Sequence, residues 1–416
     1  MFPFHKKPRK VNLMILGASG GVANALLHHM MMFRNFFKTL YLVDKTNSVI
    51  TDQYIDHQNL KYTFIQTEIK LPEKEDEYIA LLKKYKINVV LDITDANTID
   101  LITATNKAGV SYVNTAMNDD IKTVSELIFE VHSRKETMKN AAHILCTGMN
   151  PGNVNMWVRH GIEKFGIPKE VVHFELDTSK VAKQWQPMMT WSIHEFLVES
   201  IRDPSGYALG KEKIEKLLPN ALENRRNMKS ILSPIMKLKK YPEGMIVLHE
   251  ENVSISYKYD IPSKFLYSVN PQTMENLIKI YEKKGDVTKK DLELGDNTKE
   301  VLDGADNIGV MLDYNDKMVY YFNTISNVAT IGTNATYTQV IIGIFSALFS
   351  LLFDKIDHGI HFVEDLYDYH YKYFMFDNMR VQEFIFKKEG DKLKLEKYTP
   401  MIQLSRNKHF NHYYTI

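Results

Sequence analysis

Three short stretches of the chain carry acid, amide and indole side chains of the kinds that build binding and catalytic sites. Trp191-Ser192-Ile193-His194-Glu195 leads one turn later to Glu199, so a helix would set Glu195 and Glu199 on a similar face. Trp191 and Phe196 also have the spacing of a hydrophobic staple, and Ser192 and Glu195 that of a capping box, so on spacing alone the structural role of Trp191 is the stronger. Glu175 and Asp177 alternate with apolar neighbours over 171–178, which reads as a strand with both acids on its solvent face. His249, beside Glu250 and Glu251, fits a base, a metal ligand or simply a satisfied polar residue. No His, Cys and acid spacing points to zinc, and no metal is expected. Asn150-Pro151-Gly152 fits a helix start, with Asn150 as N-cap and Pro151 in the first turn. It follows a strand, where the same turn could touch a cofactor ring.

A second chemistry is written near the N-terminus. Gly17-Ala18-Ser19-Gly20-Gly21-Val22-Ala23 lies after the strand-like 10–16 and before a helical pattern. Glycines there let the backbone approach a pyrophosphate, and the helix N-terminus offers unpaired N–H groups. The spacing is Gly-x-x-Gly-x-x-Ala, with Ser19 where the usual fingerprint has its second glycine. Asp44 ends the second strand, placed to accept from an adenine ribose and to disfavour the extra phosphate of NADP, so NAD is the expected cofactor. Asp92, Thr94 and Asp95 end a fourth strand at the edge where ligands of open parallel sheets collect. Either acid could equally cap the helix that starts near Thr98.

The elements that must carry these residues alternate. Strands are expected at 10–16, 39–43, 62–66, 88–93, 111–114 and 143–147, with helices at 75–85, 98–108 and 121–140 between them. This is the pattern of a Rossmann-type parallel sheet in an α/β fold. Beyond Asn150 the reading becomes an inserted α+β domain. It has a strand over 171–176, a helix near 192–201, irregular or helical structure over 203–245, and strands at 245–248, 253–257 and 310–322. Asn334 then starts a long buried helix whose apolar run, Val340–Phe353, is short for a membrane span of about 20 residues. The expected domains are 1–150 for NAD, 151–333 for substrate and dimerisation, and 334–416 as a helical return onto the first. Hydrophobic residues are 44% and the formal net charge is +1, which leaves no basic excess for nucleic acid. Lys237-Leu238-Lys239-Lys240 reads as solvated surface. A single cysteine, Cys146, permits no internal disulfide, and a reducing, cytoplasmic setting is expected, with no apolar signal region near the start.

Four segments, in the same order, resemble bacterial homospermidine synthase of the saccharopine dehydrogenase-like group. Met149–Val154 resembles its Ala-Asn-Pro-Gly-Met-Val stretch, and Thr190–Glu199 its Thr-Trp-Ser-Val-Glu-Gly-Phe-Val-Ser-Glu run. Leu248–Ile255 resembles a His-Asn-Glu-Ser-Ile-Ser segment, and Asn334-Ala335-Thr336 with Gln339 and Val340 resembles Asn-Ala-Thr-Gly-Leu-Gln-Val. The resemblance implies tightly held NAD, a homodimer and a redox-neutral reaction. Hydride leaves the carbon next to one amine of putrescine, the imine exchanges with a second amine, and the hydride returns to give homospermidine. It also implies amine contacts for Glu175 and Glu199, a cation–π contact for Trp191, and places in the same pocket for Asn150, His249 and Asp95. Asn118 stands where the family carries an acid, and Asp203-Pro204-Ser205-Gly206-Tyr207 where it carries Gly-Trp-Gly. Two alternatives stand beside this reading. One is a net oxidoreductase of the saccharopine or carboxyspermidine dehydrogenase type, with Arg159, Arg202, Arg225 and Arg226 as candidate carboxylate clamps. The other is a non-catalytic NAD-binding protein.

Overall fold

The computed structural model describes residues 10–48, 61–295, 300–330 and 332–404. The first sheet takes β1 (Val11–Leu16), β2 (Phe37–Asp44), β3 (Tyr62–Gln66), β4 (Val89–Asp92), β5 (Ser111–Asn114) and β6 (Ala142–Leu145). With Gly359–Phe362 it runs Gly359–Phe362, β6, β5, β4, β1, β2, β3, every pair parallel. Helices α1 (Gly21–Met30), α2 (Glu75–Lys84), α3 (Thr98–Lys107) and α4 (Val124–Arg134) connect the strands. Both faces are therefore covered, which is why β1 and β4 are buried almost throughout and show no apolar–polar alternation. The α/β class read from the alternating pattern is the observed one.

The expected helix at 121–140 is shorter. Asp119 accepts from the backbone of Ile121 and Lys122, and Thr123 with Glu126 forms a capping box, so α4 cannot begin before Val124.

Helix α5 (Asn153–Phe165) leads to β7 (Glu170–Asp177), a central strand of a ten-stranded mixed sheet. Its other main strands are Ser205–Gly210, Lys213–Leu218, Ser263–Ser268, Ala305–Asp313, Lys317–Ser326, Gln382–Glu389 and Lys392–Thr399. Three expectations are corrected here. Residues 203–245 hold a hairpin, Ser205–Gly210 with Lys213–Leu218, whose lysines are those of an exposed sheet edge rather than of a helix. Residues 253–257 belong to the helix Glu250–Tyr259. Val253, Ser254, Ile255 and Ser256 are all buried, so the Val-Ser-Ile-Ser alternation carried no information about faces. The stretch 310–322 is two antiparallel strands joined at Tyr314-Asn315-Asp316, a turn signal inside the apolar run.

The C-terminal part divides. Gly359–Phe362 returns to the first sheet beside β6, whereas Gln382–Glu389 and Lys392–Thr399 extend the second sheet. The helix Ala335–Phe353 starts at Asn334, whose side chain accepts from the Tyr337 N–H at 2.8 Å. It is long and apolar enough to cross a membrane by length and composition, but 61% of its most apolar window is buried inside the protein. Gly343 lets it press onto the turn after β6: a Cβ there would meet the Thr147 carbonyl oxygen at 2.1 Å. That contact brings Thr336, Tyr337 and Val340 to the carboxyl edge of the first sheet, where the site lies.

Candidate active site

A cavity of about 550 Å³ opens between the carboxyl edge of the first sheet and the face of the second. At one end Gly17, Gly20, Gly21 and Val22 line it. Gly17 has φ +80°, and a Cβ on it would sit 2.6 Å from the Ile93 carbonyl oxygen. Only glycine fits a turn this close to the neighbouring strand. The first turn of α1 holds no acidic residue, so its N-terminus keeps its positive potential for a phosphate. These residues fit a dinucleotide pyrophosphate. Gly17→Ala is expected to weaken NAD binding about tenfold or more and to lower the unfolding midpoint, because φ and the clash both oppose a side chain; calorimetric titration and thermal unfolding check it.

The neighbours of this loop have other tasks. The Ser19 N–H donates to Asp44 Oδ2 at 3.0 Å and its hydroxyl to the Thr46 carbonyl at 2.8 Å, so Ser19 ties the loop to Asp44 and does not line the cavity. Asp44 Oδ1 also accepts from the Thr46 N–H. Asp92, expected against the cofactor, is buried away from the cavity. It accepts from the Thr94 N–H and hydroxyl and from the Tyr112 hydroxyl, and burial pushes it up to about 6. It thereby holds Thr94, which does line the cavity beside exposed Asp95. Asn118 also lines it, while its amide donates to the Thr94 carbonyl at 2.9 Å.

At the other end the acids gather. Glu175 was expected on a surface but is 4% exposed. β7 lies inside a sheet covered on both sides, so Val172, Phe174 and Leu176 fill one core while His173, Glu175 and Asp177 face the other way. Asn150 is not an N-cap: α5 starts three residues later, and the Asn150 amide donates to Glu175 Oε2 at 2.5 Å. Burial, with Asp306 and Asp177 nearby, raises the Glu175 carboxyl well above its ordinary value. Parallel pairing sets Tyr267 beside Glu175, and the Trp191 indole N–H donates to the Tyr267 hydroxyl at 2.9 Å. The hydrogen bond fixes the indole at the cavity wall. The Ser192 hydroxyl accepts from the Glu195 N–H as the spacing suggested. The Glu195 side chain, however, faces the cavity, where burial and the charges of Asp95, Glu199 and Glu250 push it up to about 8.

Glu199 closes this end. Its Oε1 lies 3.0 Å from His249 Nε2, and His249 Nδ1 bonds to Glu251 and lies 3.1 Å from Glu250 Oε2. Burial works against a charged imidazole, but Glu251, Glu199 and Glu250 outweigh it and hold His249 well above its ordinary value. The ring is therefore an imidazolium donating in both directions, a cation clamped between carboxylates. Ligand atoms of His249, Glu250 and Glu251 lie within 4.8 Å of one another, close enough to hold a cation. The ring's own contacts with Glu251 and Glu250 account for the same proximity.

Residues 13–159 match the family model of the saccharopine dehydrogenase NADP binding domain. The matched stretch runs from β1 into α5, and it meets the cavity through the glycine loop and through the turns after β4, β5 and β6. Across the whole chain the fold is similar to apo saccharopine dehydrogenase (L-Glu forming) from Saccharomyces cerevisiae, at a TM-score of 0.59 and 10% identity over 90% of this chain and 100% of that one. Amine dehydrogenase from Mycobacterium smegmatis aligns over 86% of this chain and 96% of its own at 11% identity, but its TM-score of 0.38 is too low to argue from. No curated protein matches the sequence.

The cavity beside this domain is acidic. Asp95, Asp119, Asp120, Glu175, Glu195, Glu199, Asp203 and Glu250 line it, against Lys122 and Arg202. Of the four arginines considered as carboxylate clamps, Arg202 alone lines it. Arg159 pairs with Glu163, Arg225 with Glu243, and Arg226 donates to a backbone carbonyl. Reading the sequence missed Tyr267, which looks like any tyrosine of an apolar strand until its pairing with Glu175 is known. It also missed Asp306 and Thr336, which come together behind Glu175 from segments 30 residues apart.

Proposed function

We propose that the protein is a homospermidine synthase-like transferase that uses NAD to join amines without net oxidation. One observation carries the reading: the cavity that reaches the glycine loop is lined by eight acidic side chains and an indole, against Lys122, Arg202 and the clamped His249. An ammonium stripped of water needs an anion and a π face in exchange; Glu199 and Trp191 supply them, and the Glu175 carboxyl, raised well above its ordinary value by burial, adds a hydrogen-bond acceptor. Bound NAD supplies a place for hydride to go and to return from. The rest falls to the chain. Asn150 holds Glu175 in the cavity. Glu199, raised above its ordinary value chiefly by burial, takes the proton that one amine must lose before its neighbouring carbon can be oxidised. Buried His249 holds Glu199 in place, and the enclosing walls keep water from an imine. Asp44 favours NAD over NADP by repelling a ribose phosphate, at a position that already receives the Ser19 and Thr46 N–H groups.

The test is incubation of the pure protein with putrescine and catalytic NAD, followed by mass spectrometry of the polyamines. Homospermidine without accumulation of NADH supports the reading. A requirement for a keto or carbonyl acid supports a net reductive coupling in which Arg202 and Lys122 meet the carboxylate. NAD binding without turnover of any amine overturns both.

A pH dependence follows from Glu195. Its carboxyl is neutral below about 8 and charged above it. Aliphatic ammonium groups stay charged to about 10. The amine KM is therefore expected to fall as pH rises from about 7 to 9, on the order of fivefold, the equivalent of about 1 kcal/mol. Glu195→Gln should flatten that step and leave the limiting low-pH KM in place.

A further inference from the structure

Behind Glu175 two buried aspartates face one another. Asp177 on β7 pairs directly with Asp306 on Ala305–Asp313, and the two are 4% and 1% exposed. They are joined through hydroxyls. Thr190 Oγ1 lies 2.7 Å from Asp177 Oδ2, Thr336 Oγ1 lies 3.0 Å from Thr190 Oγ1, and Thr336 Oγ1 lies 2.9 Å from Asp306 Oδ2. This makes three links in a row, and each threonine hydroxyl owns one hydrogen. Two hydrogens cannot fill three links. A third hydrogen on a carboxyl at one end or the other fills the remaining link; the outer oxygens differ, since Asp177 Oδ1 accepts from the Ser179 N–H and Asp306 Oδ1 makes no hydrogen bond. If Asp306 carries it, both hydroxyls point towards Asp177; if Asp177 carries it, both point towards Asp306.

We propose that Asp177, Thr190, Thr336 and Asp306 form a one-proton relay at the floor of the cavity. When the shared proton passes from one carboxyl to the neighbouring hydroxyl, each hydroxyl hydrogen shifts one link along and the opposite carboxyl gains a proton while the first is left charged. No electrons move and the total proton count stays the same. The relay meets the cavity at Thr336, which lines it together with Glu175. The titratable neighbours are Glu175 on the same strand and Tyr267 on Ser263–Ser268, and no Lys or Arg contributes to either aspartate. An unshared pair of charges at this depth would be costly, and one shared proton removes that cost. Given the amine reading above, the chain is a positioning device for proton traffic: it sets the charge beneath Glu175 when an amine at the floor gains or loses a proton.

The test uses the full chain labelled with carboxyl-¹³C aspartate, and infrared spectroscopy at pH 8. Asp92 and Asp203, each near 6, are ionised there. One protonated aspartyl band is expected, and it should vanish in both Asp306→Asn and Asp177→Asn. No band in the parent protein, or a band persisting in both variants, overturns the proposal. Thr336→Val removes the central hydroxyl with little change of volume. It is expected to lower amine kcat about tenfold or more and to move its pH profile, with KM within about twofold, and Thr336→Ser should restore both. An unmoved pH profile in Thr336→Val makes the link static and overturns the relay. If no amine is turned over, the substrate reading fails while the infrared arm still decides the shared proton.

Discussion

Replacing Glu199 by Gln is expected to cut amine turnover by about a hundredfold or more while leaving NAD affinity within about twofold. The substitution keeps the shape of the side chain and removes its charge and basicity. Glu199 lies at the amine end of the cavity, with His249 Nε2 at 3.0 Å from its Oε1. The glycine loop that would hold the dinucleotide is built from β1, α1 and β2 and makes no hydrogen bond to Glu199. A carboxylate that takes a proton from an ammonium acts in the step itself, so its loss should appear in kcat as well as in kcat/KM. The neighbouring imidazolium would still find an acceptor in the carboxamide oxygen of the new side chain, so the fold should hold. Steady-state rates with putrescine and a titration with NAD measure the two quantities. Parallel loss of both would mean that Glu199 serves the fold rather than the reaction.

Much of the first domain was legible because its signals are local. The glycine loop, Asp44 and the strand-helix alternation each depend on a few consecutive residues; α1 to α3 fall where the periodicity put them to within a few residues, while α4 ends six residues early, at Arg134. The second domain was less legible for a physical reason. In a sheet covered on both faces, polar residues at every second position do not mark solvent, and Glu175 and Asp177 are buried acids inside such a strand. Their meaning comes from partners far away in sequence: Asn150 for Glu175, Thr190 for Asp177, and Thr336 with Asp306 behind them. The same holds for Asn150. Its helix-start signature was sufficient as a local explanation, yet the amide was taken by a carboxylate on the next strand. Trp191 shows the opposite case, since the capping hydrogen bond of Ser192 is real and the indole still reaches the cavity.

His249→Leu tests the electrostatic core of the site through stability. The imidazolium is 5% exposed and lies among Glu251 at 0%, Glu250 at 4% and half-buried Glu199. Removing one partner of a buried ion cluster leaves uncompensated charge, at a cost of about 3–5 kcal/mol, so the unfolding midpoint near neutral pH should fall sharply. The pH dependence separates this from lost packing. In the parent protein His249 is held well above its ordinary value, so its contribution is complete below about 6.5 and is lost only as pH rises through the higher folded value. Glu251 is held below its ordinary value by His249 against the opposing effect of burial. Its contribution is present above about 4.5 and is lost as pH falls through the folded value. In the variant the cation is gone, burial, the largest influence on Glu251, outweighs the backbone hydrogen bond and His173 that remain, and that carboxyl rises instead. Ionising it then costs stability as pH increases above about 4.5. The gap between parent and variant should therefore widen as pH rises from about 4 to about 6.5 and stop widening above that, where the parent begins to lose the His249 contribution. A gap of constant size across that range would reduce His249 to a space-filling ring and remove the clamped cation from the argument.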